Sequence, residues 1–353
     1  MNNVEGARRL LEAADALRND GSIVEPLAAS TGLSAAGVRF ALQRSLEAPI
    51  SDGELTTLAS RTAASSTVTV ILSANVFTAA LRALVLARLA SPRVRVRPSR
   101  RESLFPRLLV EAAADPAVTL EPSLDLATVE EGEVHVYGRD ETVAAVAASL
   151  RPGVRLRGHG AGLGVAWVDI HAATEDTAAR LAEDVIAFDQ RGCLSPRLVF
   201  AAGPSQHAQR FAALLHEALA AMGERIPRGE LDAATRGELL RHRDSFAFAG
   251  EVWESPTSLV ALAPEGAPVL LGPPARCVTL VGARTDADVV AHLQALAPSI
   301  VCFGADDERG ARLAPPHARL ARLGAMQRPP LDGPVDGRPS LVQAGVAPRT
   351  GMI

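Results

Sequence analysis

The chain has 353 residues, of which 48% are hydrophobic and 22% are charged, and its formal net charge is −4. This length predicts two domains, each with a core of its own. The slightly acidic balance gives no general attraction to nucleic acid, and the apolar segments are too short and too interrupted to span a bilayer. The charged N-terminal residues lack the pattern of a signal peptide. We expect a soluble, cytoplasmic protein with no nucleic-acid partner and no membrane span.

The first sixty residues are predicted to form a small helical element, because apolar positions recur at helical spacing over 4–18 and about 35–47. The stretch 27–43, LAASTGLSAAGVRFALQ, is superficially similar to a helix-turn-helix with Gly32 in the turn. Its second helix offers little base-reading chemistry beyond Arg39, Gln43 and Arg44. We therefore do not interpret this stretch as a DNA-binding unit.

From residue 67 onward, strand patterns alternate with helix patterns. The predicted strands of the first set are TVTVILSAN, RVRVRPS, EEGEVHVYG, VRLRGHG and GVAWVDIHA. A second set follows with LVFAAG, SLVALAP, RCVTLVGA and SIVCFGA, between helices predicted at 205–222, about 230–243 and 286–297. Such alternation with short connections predicts parallel sheets with right-handed crossovers, and hence an α/β fold with a nucleotide-binding plan.

Cys193 stands in FDQRGCLSPR, 188–197, and has the features of a presented nucleophile. Gly192 permits close approach of the chain, and N–H groups at a turn stabilise a thiolate and later an oxyanion. The alternative is a small buried hydrophobe, against which the polar neighbours Asp189, Gln190, Arg191 and Ser195 argue. Cys277 and Cys302 lie in apolar runs and are predicted core residues. Three widely spaced cysteines form neither a disulfide framework nor a zinc pattern.

With this cysteine motif, the chain resembles the LuxC-type acyl-CoA reductases of the aldehyde dehydrogenase superfamily over about residues 67–338. The supporting motifs are SANVFTAALRAL (73–84) and GAMQRPPLDGPVDG (324–337). The resemblance implies an aldehyde dehydrogenase-like fold, with a Rossmann-type cofactor domain, an α/β catalytic domain and an extended C-terminal arm. We predict an N-terminal helical element at 1–60, a cofactor-binding domain at 61–190 completed by about 315–353, and a catalytic domain at 191–314.

The resemblance also implies catalytic and cofactor-binding residues. Asn75 stands where the superfamily has an asparagine that forms an oxyanion hole with the backbone N–H of the nucleophile, here Cys193; alternatively Asn75 is a strand-to-helix cap. The segment 94–102, VRVRPSRRE, matches the strand end that meets the adenosine ribose, with Arg97 in place of the usual lysine. The candidate cofactor-binding residues there are Arg97, Pro98, Ser99, Arg100 and Arg101. A guanidinium suits a 2′-phosphate and favours NADPH over NADH, although a solvated basic loop is the alternative.

Two glycine-containing loops complete the implied site. In VYGRDET, 136–142, Gly138 and Arg139 match the loop that carries the cofactor pyrophosphate, although Asp140 and Thr142 are equally suited to a plain helix start. The glycines of GHGAGLG, 158–164, do not fit GxGxxG spacing. The superfamily places its water-activating glutamate in this second segment, but here no carboxylate follows Glu141 until Asp169. His159 near that position is interpreted as a proton relay or a turn residue.

A chain that lacks this base is better suited to exchange acyl groups with a thiol such as CoA than to hydrolyse a thioester. The implied function is NADPH-dependent reduction of an acyl-CoA, expected to be fatty, to an aldehyde. The alternatives are a reductase of another acyl donor, such as an acyl phosphate, and a noncatalytic binding protein. Glu251 or Glu254 is a possible ligand of the nicotinamide ribose, with surface carboxylates as the alternative. The stiff tail, with Pro329, Pro330 and Pro334, implies a homo-oligomer, either a dimer or a tetramer.

Overall fold

The computed structural model describes residues 2–47, 50–169, 171–332 and 335. Its first sheet has five parallel strands in the order β3-β2-β1-β4-β5. These strands are β1 Val68–Ile71, β2 Val94–Arg97, β3 Val118–Leu120, β4 Glu133–Tyr137 and β5 Arg155–His159. The strand order reverses beside β1, with β2 on one side and β4 on the other, and ligands bind at such points in parallel sheets.

Helices cover the first sheet, and an N-terminal layer lies on them. The crossover helices are α5 Ala79–Ala90, α6 Leu104–Ala113 and α7 Asp140–Ser149. The N-terminal layer consists of α1 Asn3–Asn19, α2 Val24–Thr31, α3 Ala35–Phe40, a π-helical turn Ala41–Ser45, and α4 Asp52–Arg61. Helix α1 contacts α5 and α6, so the N-terminal element shares one apolar core with this part of the sheet.

The second sheet has seven strands in the order β12-β11-β6-β7-β10-β9-β8. They are β6 Leu163–Val168, β7 Pro196–Ala202, β8 Glu251–Glu254, β9 Leu259–Leu262, β10 Cys277–Ala283, β11 Ile300–Gly304 and β12 Arg319–Ala321. Only β8 is antiparallel to its neighbour. Its helices are α8 Glu175–Ile186, α9 Ser205–Arg225, α10 Ala233–Ala249, α11 Asp286–Leu296 and α12 Glu308–Leu313. Two largely parallel sheets with crossover helices confirm the predicted α/β class.

The division between the sheets differs from the predicted boundary at residue 190. Strand β6 pairs with β7 and β11, so residues 163–190 belong to the second sheet and the division falls between His159 and Leu163. Every residue of β6 is buried, and an apolar run of this kind carries no signal of which sheet it joins. The sheet that β6 joins is thus set by the structure, while the domain boundaries stay predictions.

The C-terminal segment, about 315–353, which was predicted to complete the cofactor-binding domain, contacts both units over its described part. Strand β12 extends the second sheet beside β11. The chain then reaches the first core, where Leu331 is buried and Arg82 donates a hydrogen bond to the carbonyl of Pro330 at 2.9 Å. Pro334 and residues 336–353 of the predicted arm lie outside the described residues.

The stretch similar to a helix-turn-helix forms α2 and α3, with Gly32 between them at a φ of 69°. That left-handed angle favours glycine. Helix α3 contacts residues 187–190, and its Val38 is fully buried. The second helix therefore packs against the segment that precedes Cys193. Among the described residues, no helix combines the length and apolarity needed to cross a bilayer.

Candidate active site

Cys193 lies in a turn between α8 and β7. The chain leaves α8 through Phe188, Asp189 and Gln190, whose φ angles are 54°, 52° and 65°. Each left-handed angle costs a residue other than glycine about 1–2 kcal/mol. Three in succession require neighbours that hold them, and two of these side chains have buried partners.

Asp189 is held by a buried ion pair with Arg276, the residue before β10. Its Oδ1 lies 2.6 Å from Nη2 of Arg276, and its Oδ2 accepts the N–H of Gly229 at 3.0 Å. The Arg276 side chain is fully buried; burial lowers its pKa, and the charge of Asp189 opposes that shift. Since a buried pair is costly to break, this contact fixes the turn to the start of β10.

Gln190 makes three hydrogen bonds with backbone groups at the starts of two strands. Its Nε2 donates to the carbonyls of Pro196 and Cys277, both at 2.8 Å. Its Oε1 accepts the N–H of Cys277, also at 2.8 Å. The amide thus joins β7 to β10 directly behind the cysteine turn, and no rotation of it would keep all three bonds.

The three cysteines have different environments. Cys193 is half-buried, whereas Cys277 and Cys302 are fully buried, which confirms that the latter two are core residues. Burial raises the pKa of each of these two thiols to about 12. Since the thiolate is the nucleophilic form, neither is suited to attack a substrate at neutral pH. Cys193 stays the predicted nucleophile, since it alone of the three is not fully buried.

One argument made for Cys193 from the sequence is wrong. Its polar neighbours were expected to indicate an exposed site, but Asp189, Gln190 and Ser195 are all buried. They are buried because each is satisfied by hydrogen bonds within the turn or with the adjoining strands. The partial exposure of Cys193 itself, and not the polarity of its neighbours, supports the prediction.

The loop after β1 approaches the cysteine turn. Asn75 is exposed there, and a Cβ built on Gly192 would lie 3.2 Å from Cγ2 of Val76, the next residue. Arg101 donates to Oδ1 of Asn75 at 3.5 Å. Because a guanidinium only donates, this contact favours the orientation in which the amide oxygen faces Arg101 and the Nδ2 hydrogens face away.

The glycine-rich loop after β5 borders the same cysteine. A Cβ built on Gly162 would lie 3.1 Å from the Cβ of Cys193 and 2.6 Å from Cγ2 of Val301. There is therefore no room for a side chain at Gly162. Asp140 fixes the loop by accepting the N–H of Ala161 at 2.9 Å.

His159, at the start of this loop, packs against β4. Its ring stacks on that of Tyr137, with centroids 4.4 Å apart and planes within 5°. Its carbonyl also accepts the N–H of Gly138 at 3.1 Å. These contacts support the interpretation of His159 as a structural residue of the turn.

The basic loop extends from the carboxyl end of β2. Its predicted cofactor-binding residues are Arg97, Pro98, Ser99, Arg100 and Arg101, of which Arg100 and Arg101 are exposed and Pro98 is buried. In the described part of the chain, no carboxylate lies within 4.0 Å of the guanidinium groups of Arg97, Arg100 and Arg101. By contrast, Arg95 in the same strand pairs with Glu121 at 2.7 Å. The loop arginines are therefore available for an anionic ligand.

The loop after β4 holds the other two predicted cofactor residues. Gly138 adjoins the start of α7, and a Cβ there would make only ordinary contact with Thr142 at 3.4 Å. The Arg139 side chain is exposed and lies 4.0 Å from Glu141. Strands β1, β2 and β4 are neighbours, so the loops that carry Asn75, Arg97 and Gly138 emerge from the same edge of the sheet.

That edge fits a dinucleotide, because it lies at the reversal of strand order and presents Arg97, Arg100 and Arg101, which pair with no carboxylate among the described residues. Glu251 and Glu254 do not join it. Both are exposed on β8, at the far edge of the second sheet, where Glu251 accepts from Gln209 at 2.7 Å and Glu254 lies 3.8 Å from Arg243. The alternative interpretation of these glutamates as surface carboxylates is supported for both.

Solved structures with this architecture are aldehyde dehydrogenase-like. The chain is similar to an oxidoreductase from Marinobacter aquaeolei, with a TM-score of 0.71 and 12% sequence identity; the match covers 94% of this chain and 81% of that one. It is also similar to a NAD-dependent benzaldehyde dehydrogenase from Corynebacterium glutamicum, at a TM-score of 0.65 and 15% identity over 89% and 79%. A third similar structure is aldehyde dehydrogenase 21 from Physcomitrella patens, with a TM-score of 0.66 and 13% sequence identity; the match covers 92% of this chain and 78% of that one. The predicted aldehyde dehydrogenase-like fold is confirmed.

The sequence also matches one family model. Residues 58–341 match the acyl-CoA reductase (LuxC) family, and the chain belongs to that family. No curated protein matches it. Membership confirms the resemblance stated from the motifs and identifies the chain as an aldehyde-forming oxidoreductase.

Proposed function

We propose that the protein reduces an acyl-CoA thioester to an aldehyde, with NADPH as the reductant and Cys193 as the nucleophile. The observation that carries the proposal is the meeting of three loops at one half-buried cysteine. The loop of Asn75 contacts Gly192, the carboxylate-free loop of Gly162 contacts Cys193, and a rigid turn presents the thiol.

The first stage is acyl transfer to the protein. The Cys193 thiolate adds to the thioester carbonyl carbon, and the Asn75 amide and the Cys193 N–H donate to the oxyanion. When the tetrahedral intermediate collapses, the bond from carbon to the CoA sulfur breaks. CoA leaves as a thiolate that takes up a proton, and the acyl group remains on Cys193.

The second stage is reduction. NADPH, when bound, would supply a hydride for the acyl carbon. The Asn75 amide and the Cys193 N–H would hold the oxyanion of the reduced acyl group, and expulsion of the Cys193 sulfur would release the aldehyde. Residues 160–162 contribute no carboxylate of their own, and the Asp140 carboxylate beside them is engaged by the Ala161 N–H at 2.9 Å, so the loop itself supplies no base to activate a competing water.

The preference for NADPH is argued from the basic loop. Arg97, Arg100 and Arg101 have no carboxylate within 4.0 Å among the described residues, and Ser99 adds a hydroxyl. A guanidinium binds a phosphate monoester through paired, charge-assisted hydrogen bonds. Gly138 and Arg139 would adjoin the pyrophosphate. A cytoplasmic location and a homo-oligomeric state remain predictions.

The test is NADPH oxidation with acyl-CoA substrates of graded chain length, beside the corresponding acyl phosphates. We expect oxidation with at least one acyl-CoA and formation of one aldehyde for each NADPH consumed. Oxidation with acyl phosphate alone would replace the proposed acyl donor. Binding of NADPH without oxidation of any kind would favour a noncatalytic protein on this fold.

A further inference from the structure

The chain returns to the cysteine turn after β12. The N–H groups of Gly324 and Met326 donate to the carboxylate of Asp184, on α8, at 2.6 and 2.9 Å. Burial raises the pKa of Asp184 to about 7, although the hydrogen bonds from these two N–H groups lower it in part. Arg328 pairs with the neighbouring Glu183 at 2.7 Å. Helix α8 therefore holds residues 324–328 along its last turns.

This anchored segment places Gln327 against the turn that contains Cys193. Its Nε2 donates to Oγ of Ser195 at 2.5 Å, and its Oε1 would lie 3.0 Å from a Cβ built on Gly192. The turn itself is closed by the Ser195 N–H, which donates to the Gly192 carbonyl at 3.1 Å. Gln327 and Ser195 are both buried. One amide thus contacts the residues on both sides of the nucleophile.

We propose that Gln327 is a positioning residue for Cys193. A Cβ built on Gly192 would lie 3.0 Å from Oε1 of Gln327 and 3.2 Å from Cγ2 of Val76, of the Asn75 loop, so both side chains border this glycine. The amide consequently sets how closely the cysteine turn approaches the predicted oxyanion-hole loop. This inference rests on the proposed role of Cys193 as nucleophile, but it does not depend on the identity of the acyl donor.

One helix serves both parts of this arrangement. Helix α8 runs directly into the left-handed turn at 188–190, and its Asp184 anchors the segment that carries Gln327. Helix α8 therefore fixes the position of both the Cys193 turn and the segment that carries Gln327. A single neutral hydrogen bond of about 1 kcal/mol corresponds to roughly fivefold in a rate.

The test measures alkylation of Cys193 by iodoacetamide, followed by mass spectrometry of its peptide, in the full chain. Gln327→Met keeps the length of the side chain but removes the hydrogen bond, and Ser195→Ala removes the same bond from the other side. We expect each to change the alkylation rate by roughly three- to tenfold, and the double variant by no more than either alone. Gln209→Met, on the exposed face of α9, is the matched control and should react as the unmodified protein does.

Gln327→Glu adds a readout that a purely structural role would not move. It keeps the shape and can accept from the Ser195 hydroxyl, but its negative charge opposes a thiolate nearby. We expect the midpoint of the pH profile of alkylation to rise by about one unit. In the reductase assay, kcat of Gln327→Met should fall by a factor similar to that of alkylation, with KM for acyl-CoA unchanged.

Wild-type rates and pH profiles in folded Gln327→Glu and Ser195→Ala would overturn the inference, and these two variants decide the matter even if Gln327→Met does not fold. Altered alkylation in a protein that reduces no acyl-CoA would leave the positioning role standing. That result would defeat the proposed function alone.

Discussion

Asp189 and Arg276 form a buried ion pair, 2.6 Å between Oδ1 and Nη2, across 87 residues of chain. The pair connects the left-handed turn before Cys193 to the start of β10. Its cost in desolvation is offset by bonds from Arg276 to the Ile226 carbonyl and from the Gly229 N–H to Asp189. The presentation of the cysteine therefore depends on residues far from it in the sequence.

Breaking this pair should destabilise the protein strongly. Asp189→Asn leaves the Arg276 charge buried without its counterion, and we expect the free energy of unfolding to fall by about 3–5 kcal/mol. Urea denaturation measures the change. Arg284→Ala, which removes an exposed pair with Glu265, should cost less than about 1 kcal/mol. Equal effects of the two variants would contradict the structural role assigned to Asp189.

The contact between Gly162 and Cys193 predicts a sensitive glycine. In Gly162→Ala the new Cβ would lie 2.6 Å from Val301 and 3.1 Å from the Cβ of Cys193, so the chain must shift at the nucleophile. We expect a loss of about 1–3 kcal/mol in stability and a clear fall in reductase activity. Gly53→Ala is the control, because nothing lies within 4 Å of a Cβ there. Unchanged activity in Gly162→Ala would show that this loop does not border the working site.

The basic loop should determine the choice between the two nicotinamide cofactors. Arg97→Ala removes a guanidinium predicted to bind the 2′-phosphate, and we expect KM for NADPH to rise roughly tenfold with little change for NADH. Arg93→Ala, which alters an exposed arginine just before β2, is the control. A parallel loss with both cofactors would assign Arg97 to another part of the dinucleotide.

Glu133 predicts how stability depends on acid. Burial raises its pKa, but hydrogen bonds and charge from His135 and Arg157 outweigh burial and lower it to about 2. A carboxyl with a lowered pKa contributes stability above its unfolded pKa of about 4.5, and this contribution disappears as the pH falls toward 2. Between pH 5 and pH 2, we expect the free energy of unfolding to fall by about 1–3 kcal/mol less in Glu133→Gln than in the unmodified protein. Identical pH profiles would contradict the assignment.

Local patterns predicted much of this architecture. The strands β1, β2 and β4, the helices that follow them and the turn of Cys193 before β7 were all predicted from periodicity and from turn residues. The sheet that β6 joins could not be predicted, because a fully buried apolar strand carries no sequence signal of which strands lie beside it. The short strands β3, β8 and β12 were also missed, since three or four residues carry too little of a period.

The supports of the cysteine turn could not be predicted in the same way. Arg276 and Gln327 lie 83 and 134 residues from Cys193, and their partners are chosen by the fold and not by local spacing. A signal was present in the adjacent polar residues Asp189, Gln190 and Ser195, but they were interpreted as marks of exposure. In the structure they are buried because each has a hydrogen-bonding partner.

The most direct test of the account is NADPH oxidation at 340 nm with an acyl-CoA panel, comparing the unmodified protein with Cys193→Ser and with Cys277→Ser. We expect aldehyde-forming oxidation that Cys193→Ser abolishes and that Cys277→Ser retains wherever the variant is folded, because Cys277 is buried and its thiol pKa is raised. Oxidation that survives in Cys193→Ser would contradict the assignment of Cys193 as the nucleophile.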